Sequence, residues 1–379
     1  MHAVWPTTIK NVERIVSRKV EVSPVHERIK GRWISMTPEI TTIIPTFRRP
    51  MLLRRAILSA LAQRGPSLQV CVYDNASGDS TADVLAELAA EDPRVKYFCH
   101  PQNIGGVANF QYGLTHVTTP LFSFLSDDDV LLPDFYATAV KDLEEFPDAA
   151  FWCGVTVTMT PDGTFYTARV ADWPRFGLFT PPEGVLQMIK GSQPCWTSVL
   201  FRRMVIGQVG PLNEQLEGPS DLEYLLRIAA RSPFIASKHP AALFLLNPES
   251  FGETSPLKRF WPGWQEMIRS VIATAGLGTQ DRIAIEQGLN ANARRMLFRR
   301  GAAALAKKDH AFSSEAAAIL SKHYRNNLRS AVLDGLSLAC MKLPFLQVCY
   351  SSAYRLAERI LLYKRVALRR QYGRFSKFL

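Results

Sequence analysis

From residue 38 onward, strand-like apolar runs alternate with amphipathic helical segments, and this alternation limits the possible fold more than any other feature of the sequence. The run EITTIIPTF is followed by RRPMLLRRAILSALAQ, whose apolar residues recur at helical spacing, and then by LQVCVYDNAS. The same order repeats through STADVLAELAAE, VKYFCH, ANFQYGLTHV and PLFSFLS. The alternation predicts βαβ units, and therefore an α/β fold with a Rossmann-like, mostly parallel central sheet flanked by helices.

Charge divides the 379 residues into segments of different sign. The formal net charge is +4 for residues 1–37, −8 for residues 38–256 and +15 for residues 257–379. We therefore predict an N-terminal extension, an α/β domain and a helical, basic C-terminal region with these boundaries. Because their charges are opposite, the α/β domain and the C-terminal region are expected to have different partners.

Cysteine usage and hydropathy indicate the compartment. The six cysteines form no CxxC pair and lie in apolar sequence, which predicts buried free thiols and no structural zinc site. Residues 1–20 lack the uninterrupted apolar core of a secretory signal. The most apolar stretch of the tail, AVLDGLSLACMKLPFLQVCYSS, is interrupted by Asp334, Lys342 and Pro344, so no transmembrane helix is predicted. A cytoplasmic protein is the expectation.

Polar residues cluster at three points where a predicted strand ends, namely residues 45–46, 74–79 and 127–129. In open α/β sheets, ligands bind in the crevice beyond the carboxyl ends of the strands. The three clusters are therefore expected to converge on one crevice. For residues 74–79, a turn that only leads into the next helix is the alternative.

Three consecutive aspartates, Asp127, Asp128 and Asp129, follow the apolar run LFSFLS with no Lys or Arg nearby in sequence. Their carboxylates repel one another unless a cation occupies the site. Oxygen ligands suit Mg²⁺ or Mn²⁺, and such an ion can clamp a diphosphate. The alternative is that the aspartates cap the next element or end the strand in solvent.

Four segments, in the same order, resemble the inverting nucleotide-sugar glycosyltransferases of family 2, which have the GT-A fold. They are IIPTFRRPMLLRRAILSALAQ, VYDNASGDST, HPQNIGGVANFQYGL and FLSDDDVLLPDF, and the resemblance covers residues 38–255. It implies a metal-dependent enzyme that moves a sugar from a nucleotide-diphosphate sugar to a hydroxyl of a glycan or lipid-linked acceptor. Cell-surface polysaccharide biosynthesis is the implied setting, and residues 38–256 are the implied catalytic domain.

The resemblance also implies roles on the donor side. Asp128 lies five residues before Pro133, the place of the family's metal-binding aspartate, whereas Ser126 stands where the family has another acid. Asp127 or Asp129 can take the role missing at Ser126. Asp128 and Asp129 are thus the candidate metal ligands. The candidate donor-nucleotide-binding residues are Pro45, Thr46, Asp74, Ser77, Asp79 and Asp127. Among them, Asp74 is expected to contact the base or the ribose of the donor.

On the acceptor side, LEGPSDLEYLLRIA resembles the family's segment in which acids precede a helix. The match implies Asp221 as the general base and Glu223 as the second choice, with Ser220 at the place of a usual acid. Asp221 as a helix cap is the alternative. Trp196 is a candidate for the acceptor pocket, although core packing suits an aromatic ring equally well. Asn247 stands where family members often have a His.

The basic tail RLAERILLYKRVALRRQYGRF mixes Leu and Ile with Arg and Lys, which is typical of an amphipathic helix on an anionic membrane. It predicts peripheral association with the inner face of the cell membrane, and no nucleic-acid partner. A helix packed on the catalytic domain or on another subunit is the alternative.

Two other functions stay open, a nucleotidyltransferase and a catalytically inactive membrane-associated partner. The first is disfavoured because PTFRRPMLLRR lacks the glycines of a triphosphate-binding loop.

Overall fold

The computed structural model describes residues 25–29, 32–216, 218–246, 256–324 and 328–379. Most of the predicted N-terminal extension and the position of Asn247 lie outside the described residues. The strands are β1 Val25–Ile29, β2 Arg32–Met36, β3 Ile40–Thr46, β4 Leu68–Asp74, β5 Val95–Cys99, β6 Leu121–Phe124, β7 Val130–Leu131, β8 Phe151–Met159, β9 Phe165–Arg169, β10 Gly177–Phe179, β11 Val199–Arg202 and β12 Phe234–Leu245.

The helices follow the strands in the order that the alternation predicts. In the α/β domain they are α1 Pro50–Leu61, α2 Thr81–Glu91, α3 Gly106–Thr115, α4 Phe135–Glu145, α5 Glu183–Ile189, α6 Met204–Val209 and α7 Ser220–Ala229. In the C-terminal region they are α8 Leu257–Ala273, α9 Thr279–Ala306, α10 His310–His323, α11 Leu328–Lys342, α12 Pro344–Lys364 and α13 Val366–Tyr372.

One large sheet has the strand order β10-β12-β8-β11-β6-β3-β4-β5, with β7 added on β12 and β9 on β8. The predicted parallel pairing is present in β6-β3-β4-β5, where helices connect the strands. The other half is mixed. Strands β8 and β9 form the hairpin that the turn sequence Pro161-Asp162-Gly163 predicts, and β11 runs antiparallel to both of its neighbours. The α/β class with a Rossmann-like sheet is confirmed, and the second half of the sheet is less parallel than predicted.

Both faces of the sheet are covered, which explains why β3 reads as a nearly continuous apolar run. Ile43 packs into one core together with Tyr73 and Phe124. The next residue along the strand, Ile44, packs into the core on the opposite face with Leu53 of α1. The strand is thereby fixed in register, and its carboxyl end is held at the crevice.

The C-terminal helices share a core with the α/β domain. Leu257, Trp264 and Met267 of α8 belong to the same buried cluster as Ile43 and Trp196. The boundary at residue 256 is thus a change in charge and secondary structure within one continuous core. Of the six cysteines, Cys71, Cys153, Cys195 and Cys340 are buried as predicted, whereas Cys99 and Cys349 are exposed.

The basic tail does not form the single helix that its composition suggests. Helix α12 ends at Lys364 and α13 begins at Val366. Beyond this break, Tyr372 is buried and packs with Phe375 and Phe378 against strands β8 and β9. Arg365 Nη1 donates to the carbonyl oxygen of Tyr166 in β9 at 2.7 Å. The alternative of packing on the α/β domain therefore holds for residues after 365.

Candidate functional site

The carboxyl ends of β3, β4 and β6 meet as predicted, and Thr46 joins the three polar clusters. Its Oγ1 donates to Asp127 Oδ2 at 2.8 Å. Its carbonyl oxygen accepts from the backbone N–H of Asn75 at 2.9 Å. Parallel strands end at the same edge of a sheet, so residues about 80 positions apart in sequence form one crevice.

The turn after β4 holds Asp74 in a fixed orientation. Asp74 is buried, and its Oδ1 accepts from the backbone N–H of Ser77 at 3.1 Å and from Ser77 Oγ at 2.5 Å. Arg48 donates its backbone N–H to Ser77 Oγ at 2.8 Å. Asp79 is exposed and accepts from both the backbone N–H and Oγ1 of Thr81, the first residue of α2. Asp79 therefore stabilises the start of α2 from the rim of the crevice.

Arg49 is the residue that the sequence reasoning missed. Its Nη1 donates to Asp127 Oδ1 at 3.1 Å and to Asp128 Oδ2 at 2.9 Å. The expectation that only a bound cation could offset the aspartates is wrong, because the chain supplies a guanidinium itself. The sequence feature that could have pointed to Arg49 is Pro50. Proline favours the first position of a helix, and this places Arg49 on the turn between β3 and α1.

The three aspartates have different surroundings. Asp129 is fully buried, its Oδ2 accepting from Thr197 Oγ1 at 2.5 Å and its Oδ1 from the backbone N–H of Leu245 at 3.0 Å. Both oxygens are thus used to hold the turn before β11 and the end of β12. Asp128 is only half-buried, and its Oδ2 accepts from Arg49. Of the two candidate metal ligands, Asp128 is the one that borders the crevice.

Burial dominates the acid–base properties of two of these carboxylates. It raises the pKa of Asp127 to about 6, and the nearby Arg49 guanidinium only partly offsets this effect. Burial also raises the pKa of Asp129 well above its usual value, with the neighbouring Asp128 charge adding to the rise. Burial thus disfavours the ionised form of both carboxylates, and a bound cation would favour that form.

Oxygen ligands of this kind fit Mg²⁺ or Mn²⁺ in their chemistry. In the described ranges no group of three His, Cys, Asp or Glu side chains is arranged to hold a metal ion. An ion at Asp128 would therefore have to complete its coordination with water and with oxygens of a ligand, as Mg²⁺ at diphosphate sites usually does.

Trp196 connects the aspartate turn with Asp221. Its indole ring stacks on Phe124, the last residue of β6, with ring centroids 4.3 Å apart. Its Nε1 donates to the carbonyl oxygen of Asp221 at 2.9 Å. Trp196 is buried, so its contacts are those of a core residue that positions the start of α7.

Asp221 lies in the first turn of α7, with Oδ1 accepting from the backbone N–H of Leu222 at 2.7 Å. Burial raises the pKa of Asp221, and the Arg169 charge acts in the opposite direction. A carboxylate with a raised pKa is a better proton acceptor, as a general base requires. Glu223, the second choice, is fully buried, ion-paired with Arg227 at 2.7 Å and hydrogen-bonded by Ser270. It faces the C-terminal helices.

Comparison with known proteins shows which family the α/β domain resembles. The sequence model of glycosyl transferase family 2 matches residues 41–210. A GalNAc(5)-diNAcBac-PP-undecaprenol beta-1,3-glucosyltransferase of Campylobacter jejuni is 36% identical over 110 residues, which are 28% of this chain and 35% of that protein. The succinoglycan biosynthesis protein ExoW of Rhizobium meliloti is 31% identical over 137 residues, 35% of this chain and 42% of ExoW. The aligned region thus spans less than half of either relative.

Two solved structures share the fold. S. aureus TarS 1–349 in complex with UDP-GlcNAc has a TM-score of 0.60 at 14% identity, over 84% of this chain and 92% of TarS 1–349. The mannosyltransferase PcManGT from Pyrobaculum calidifontis, in complex with GDP-Man and Mn²⁺, has a TM-score of 0.50 at 17% identity, covering 92% of this chain and 91% of PcManGT. The order of the motifs, the sheet and the family match agree. Residues 41–210 of this chain are thus similar to glycosyl transferase family 2.

Proposed function

We propose that this protein is an inverting glycosyltransferase that moves a sugar from a nucleotide-diphosphate sugar to a hydroxyl of a glycan or lipid-linked acceptor. The observation that carries the proposal is the link made by residues 196 and 197. Trp196 holds the backbone at Asp221, and Thr197 holds Asp129. Neighbouring residues thereby fix the candidate base and the aspartate turn relative to one another.

In the proposed reaction, the acceptor oxygen attacks the anomeric carbon while Asp221 takes the hydroxyl proton. The bond from that carbon to the diphosphate oxygen breaks, and the nucleoside diphosphate leaves with the electron pair. Asp74, Ser77 and Thr46 line the donor side of the crevice, with Pro45 and Asp79 at its edges. A Mg²⁺ or Mn²⁺ ion at Asp128 would offset the negative charge that develops on the leaving diphosphate. Arg49, which is also paired with Asp127, holds Asp128 in place.

The comparisons support the substrate classes. The Campylobacter relative is a glucosyltransferase named for an undecaprenol-linked acceptor, and ExoW is named for succinoglycan biosynthesis. TarS was solved with UDP-GlcNAc and PcManGT with GDP-Man and Mn²⁺. These names favour a nucleotide-sugar donor, a divalent cation and a role in cell-surface polysaccharide synthesis.

A panel of nucleotide sugars tests the proposal. We expect release of a nucleoside diphosphate from at least one of them in the presence of Mn²⁺ or Mg²⁺, and loss of that release with a chelator. Turnover of nucleoside triphosphates instead would indicate a nucleotidyltransferase. A protein that neither binds UDP or GDP with Mn²⁺ nor turns over any donor would be the inactive partner.

We further propose that helices α11 and α12 bind the cytoplasmic surface of a membrane. Leu328, Phe345 and Val348 are 77%, 61% and 61% exposed, and Lys342 and Arg359 lie on the same helices. Exposed apolar side chains flanked by basic ones suit an anionic bilayer surface. None of the described helices is long and apolar enough to cross a bilayer.

Co-sedimentation with vesicles tests this surface. We expect binding to phosphatidylcholine vesicles that contain phosphatidylglycerol, weaker binding without it, and loss of binding in Phe345→Asp/Val348→Asp. Met51→Asp, an exposed apolar residue of α1, is the control and should still bind. If the wild-type protein ignores vesicles and forms dimers that the double variant abolishes, the surface is a protein interface.

A further inference from the structure

A second concave site lies between the α/β domain and the C-terminal helices. It is a cavity of about 1460 Å³. On the α/β side it is bordered by β9 and by the residues that follow α5. On the helical side it is bordered by α9, α11 and α12. Pockets for small ligands usually measure about 300–1,000 Å³, so this cavity has room for an extended molecule.

The lining of the cavity is strongly basic. Nine Lys or Arg side chains and two carboxylates contribute to it among the described residues, a formal net charge of +7. Arg295 and Arg299 lie four residues apart on α9 and therefore on the same helical face. Neither guanidinium is within 4 Å of a carboxylate in the described part of the chain. Like charges at this spacing destabilise a helix. An anionic ligand between the two guanidinium groups would reduce their electrostatic repulsion.

Packing between helices holds the walls of the cavity in place. Asn292 Nδ2 of α9 donates to the carbonyl oxygen of Ile189 at the end of α5 at 2.8 Å. Tyr350 Oη of α12 donates to the carbonyl oxygen of Ala302 at 3.1 Å, and Gln347 Nε2 donates to that of Leu305 at 2.9 Å. The basic side chains are therefore carried by elements that are already docked against one another, which lowers the entropic cost of binding a ligand.

Part of the cavity lining lies near the candidate base. Arg169 of β9 lines the cavity, and its charge acts on the Asp221 carboxylate. Gln193, also in the lining, is three residues before Trp196, whose indole holds the Asp221 carbonyl oxygen. An acceptor hydroxyl that reaches Asp221 can therefore belong to a molecule whose remaining part lies in the cavity.

We propose that this cavity binds phosphate groups of the acceptor, with Arg295 and Arg299 as the main phosphate-binding residues. The proposal rests on the proposed glycosyl transfer, because it assigns the acceptor of that reaction to the phosphate-bearing class. Guanidinium groups bind phosphate oxygens in pairs of parallel hydrogen bonds, and clustered arginines suit one diphosphate or several phosphodiesters. The exposed ring of Tyr166 and the half-buried ring of Tyr354 border the same space and suit contact with a sugar or a lipid chain.

Calorimetric titration with inorganic pyrophosphate tests the proposal. The full-length protein is titrated with a chelator present and no nucleotide, so that a metal-dependent donor site does not contribute. We expect binding by the wild-type protein and affinity lower by ~10-fold or more in Arg295→Gln/Arg299→Gln. The control, Arg64→Gln/Arg231→Gln, removes the same charge from exposed residues outside the cavity and should bind like the wild type. Arg295→Lys/Arg299→Lys should recover part of the lost affinity, because charge is kept while the paired hydrogen bonds are lost.

Two further ligands distinguish the possible sources of phosphate. Geranyl diphosphate represents the diphosphate of a lipid carrier, and glycerophosphoglycerol represents a phosphodiester within a glycan. If the Arg295→Gln/Arg299→Gln substitutions weaken the binding of either ligand, the result supports a phosphate-binding site in the cavity. The proposed site is contradicted if the wild-type protein does not bind pyrophosphate. It is also contradicted if the cavity variant and the control lose pyrophosphate affinity to the same extent. If the protein turns over a nucleotide sugar but does not bind pyrophosphate, only the proposed phosphate site is contradicted. If it binds pyrophosphate but turns over no nucleotide sugar, only the proposed glycosyl transfer is contradicted.

Discussion

Replacing Asp221 by Asn is expected to lower kcat by ~10²–10⁴-fold with little change in nucleotide binding, because proton removal by a positioned base contributes about this much. Asn keeps the shape of the side chain but cannot accept the acceptor's proton. Steady-state kinetics with the donor found in the nucleotide-sugar panel, together with calorimetric titration of its nucleoside diphosphate, measures both quantities. An unchanged kcat would remove Asp221 from the mechanism.

Glu223→Gln is the informative comparison, since Glu223 is the other acid of the same helical turn. Glu223 pairs with Arg227 and accepts a hydrogen bond from Ser270, so its loss is expected to lower stability and to leave kcat of the folded enzyme close to that of the wild type. Chemical unfolding separates the two effects. If Glu223→Gln lost activity without losing stability, the second choice for the base would be the correct one.

The pH dependence of Asp221 has a defined sign. The base works only when ionised, so activity falls as pH drops through its pKa, and burial places that pKa above the usual range for aspartate. The Arg169 charge favours the ionised form. Arg169→Gln is therefore expected to move the acid limb of the rate profile to higher pH.

Asp128→Ala is expected to lower kcat/KM by ~10²–10³-fold and to abolish metal-dependent nucleotide binding. Removing one group that stabilises developing negative charge costs about this much. Of the two candidate ligands, Asp128 borders the crevice, while both oxygens of Asp129 already accept hydrogen bonds. Turnover and Mn²⁺-dependent titration with UDP or GDP provide the measurement.

Asp148→Ala is the matched control, because Asp148 is exposed in the loop before β8, away from the carboxyl ends of the parallel strands. It should retain wild-type kinetics. If Asp128→Ala kept its activity at saturating metal, the cation would be held elsewhere, and Arg49 would be the next candidate for offsetting the diphosphate charge. Arg49→Gln would then reduce turnover more than Asp128→Ala does.

The sequence predicted the parts of the fold that depend on local periodicity. Apolar alternation located β3 and β4, helical spacing located α1 and α2, and the turn residues at 161–163 located the β8–β9 hairpin. The antiparallel position of β11 between β8 and β6 was not predicted, because pairing direction depends on how strands return in space. The tail shows the same limit, since its composition does not reveal that Tyr372 packs against the sheet.

The residues at the crevice illustrate what each level of information can provide. The amino-acid sequence by itself determined which side chains are candidates for the chemistry: carboxylates after buried strands, in an order typical of one family. Only the tertiary structure decided what each carboxylate contacts, because burial and hydrogen bonding depend on residues distant in sequence. Arg49 bridges Asp127 and Asp128, whereas Thr197 Oγ1 and the backbone N–H of Leu245 donate hydrogen bonds to Asp129. The basic cavity arises in the same way, because arginines of α9 come to line one cavity only once α5, β9 and α12 pack around them.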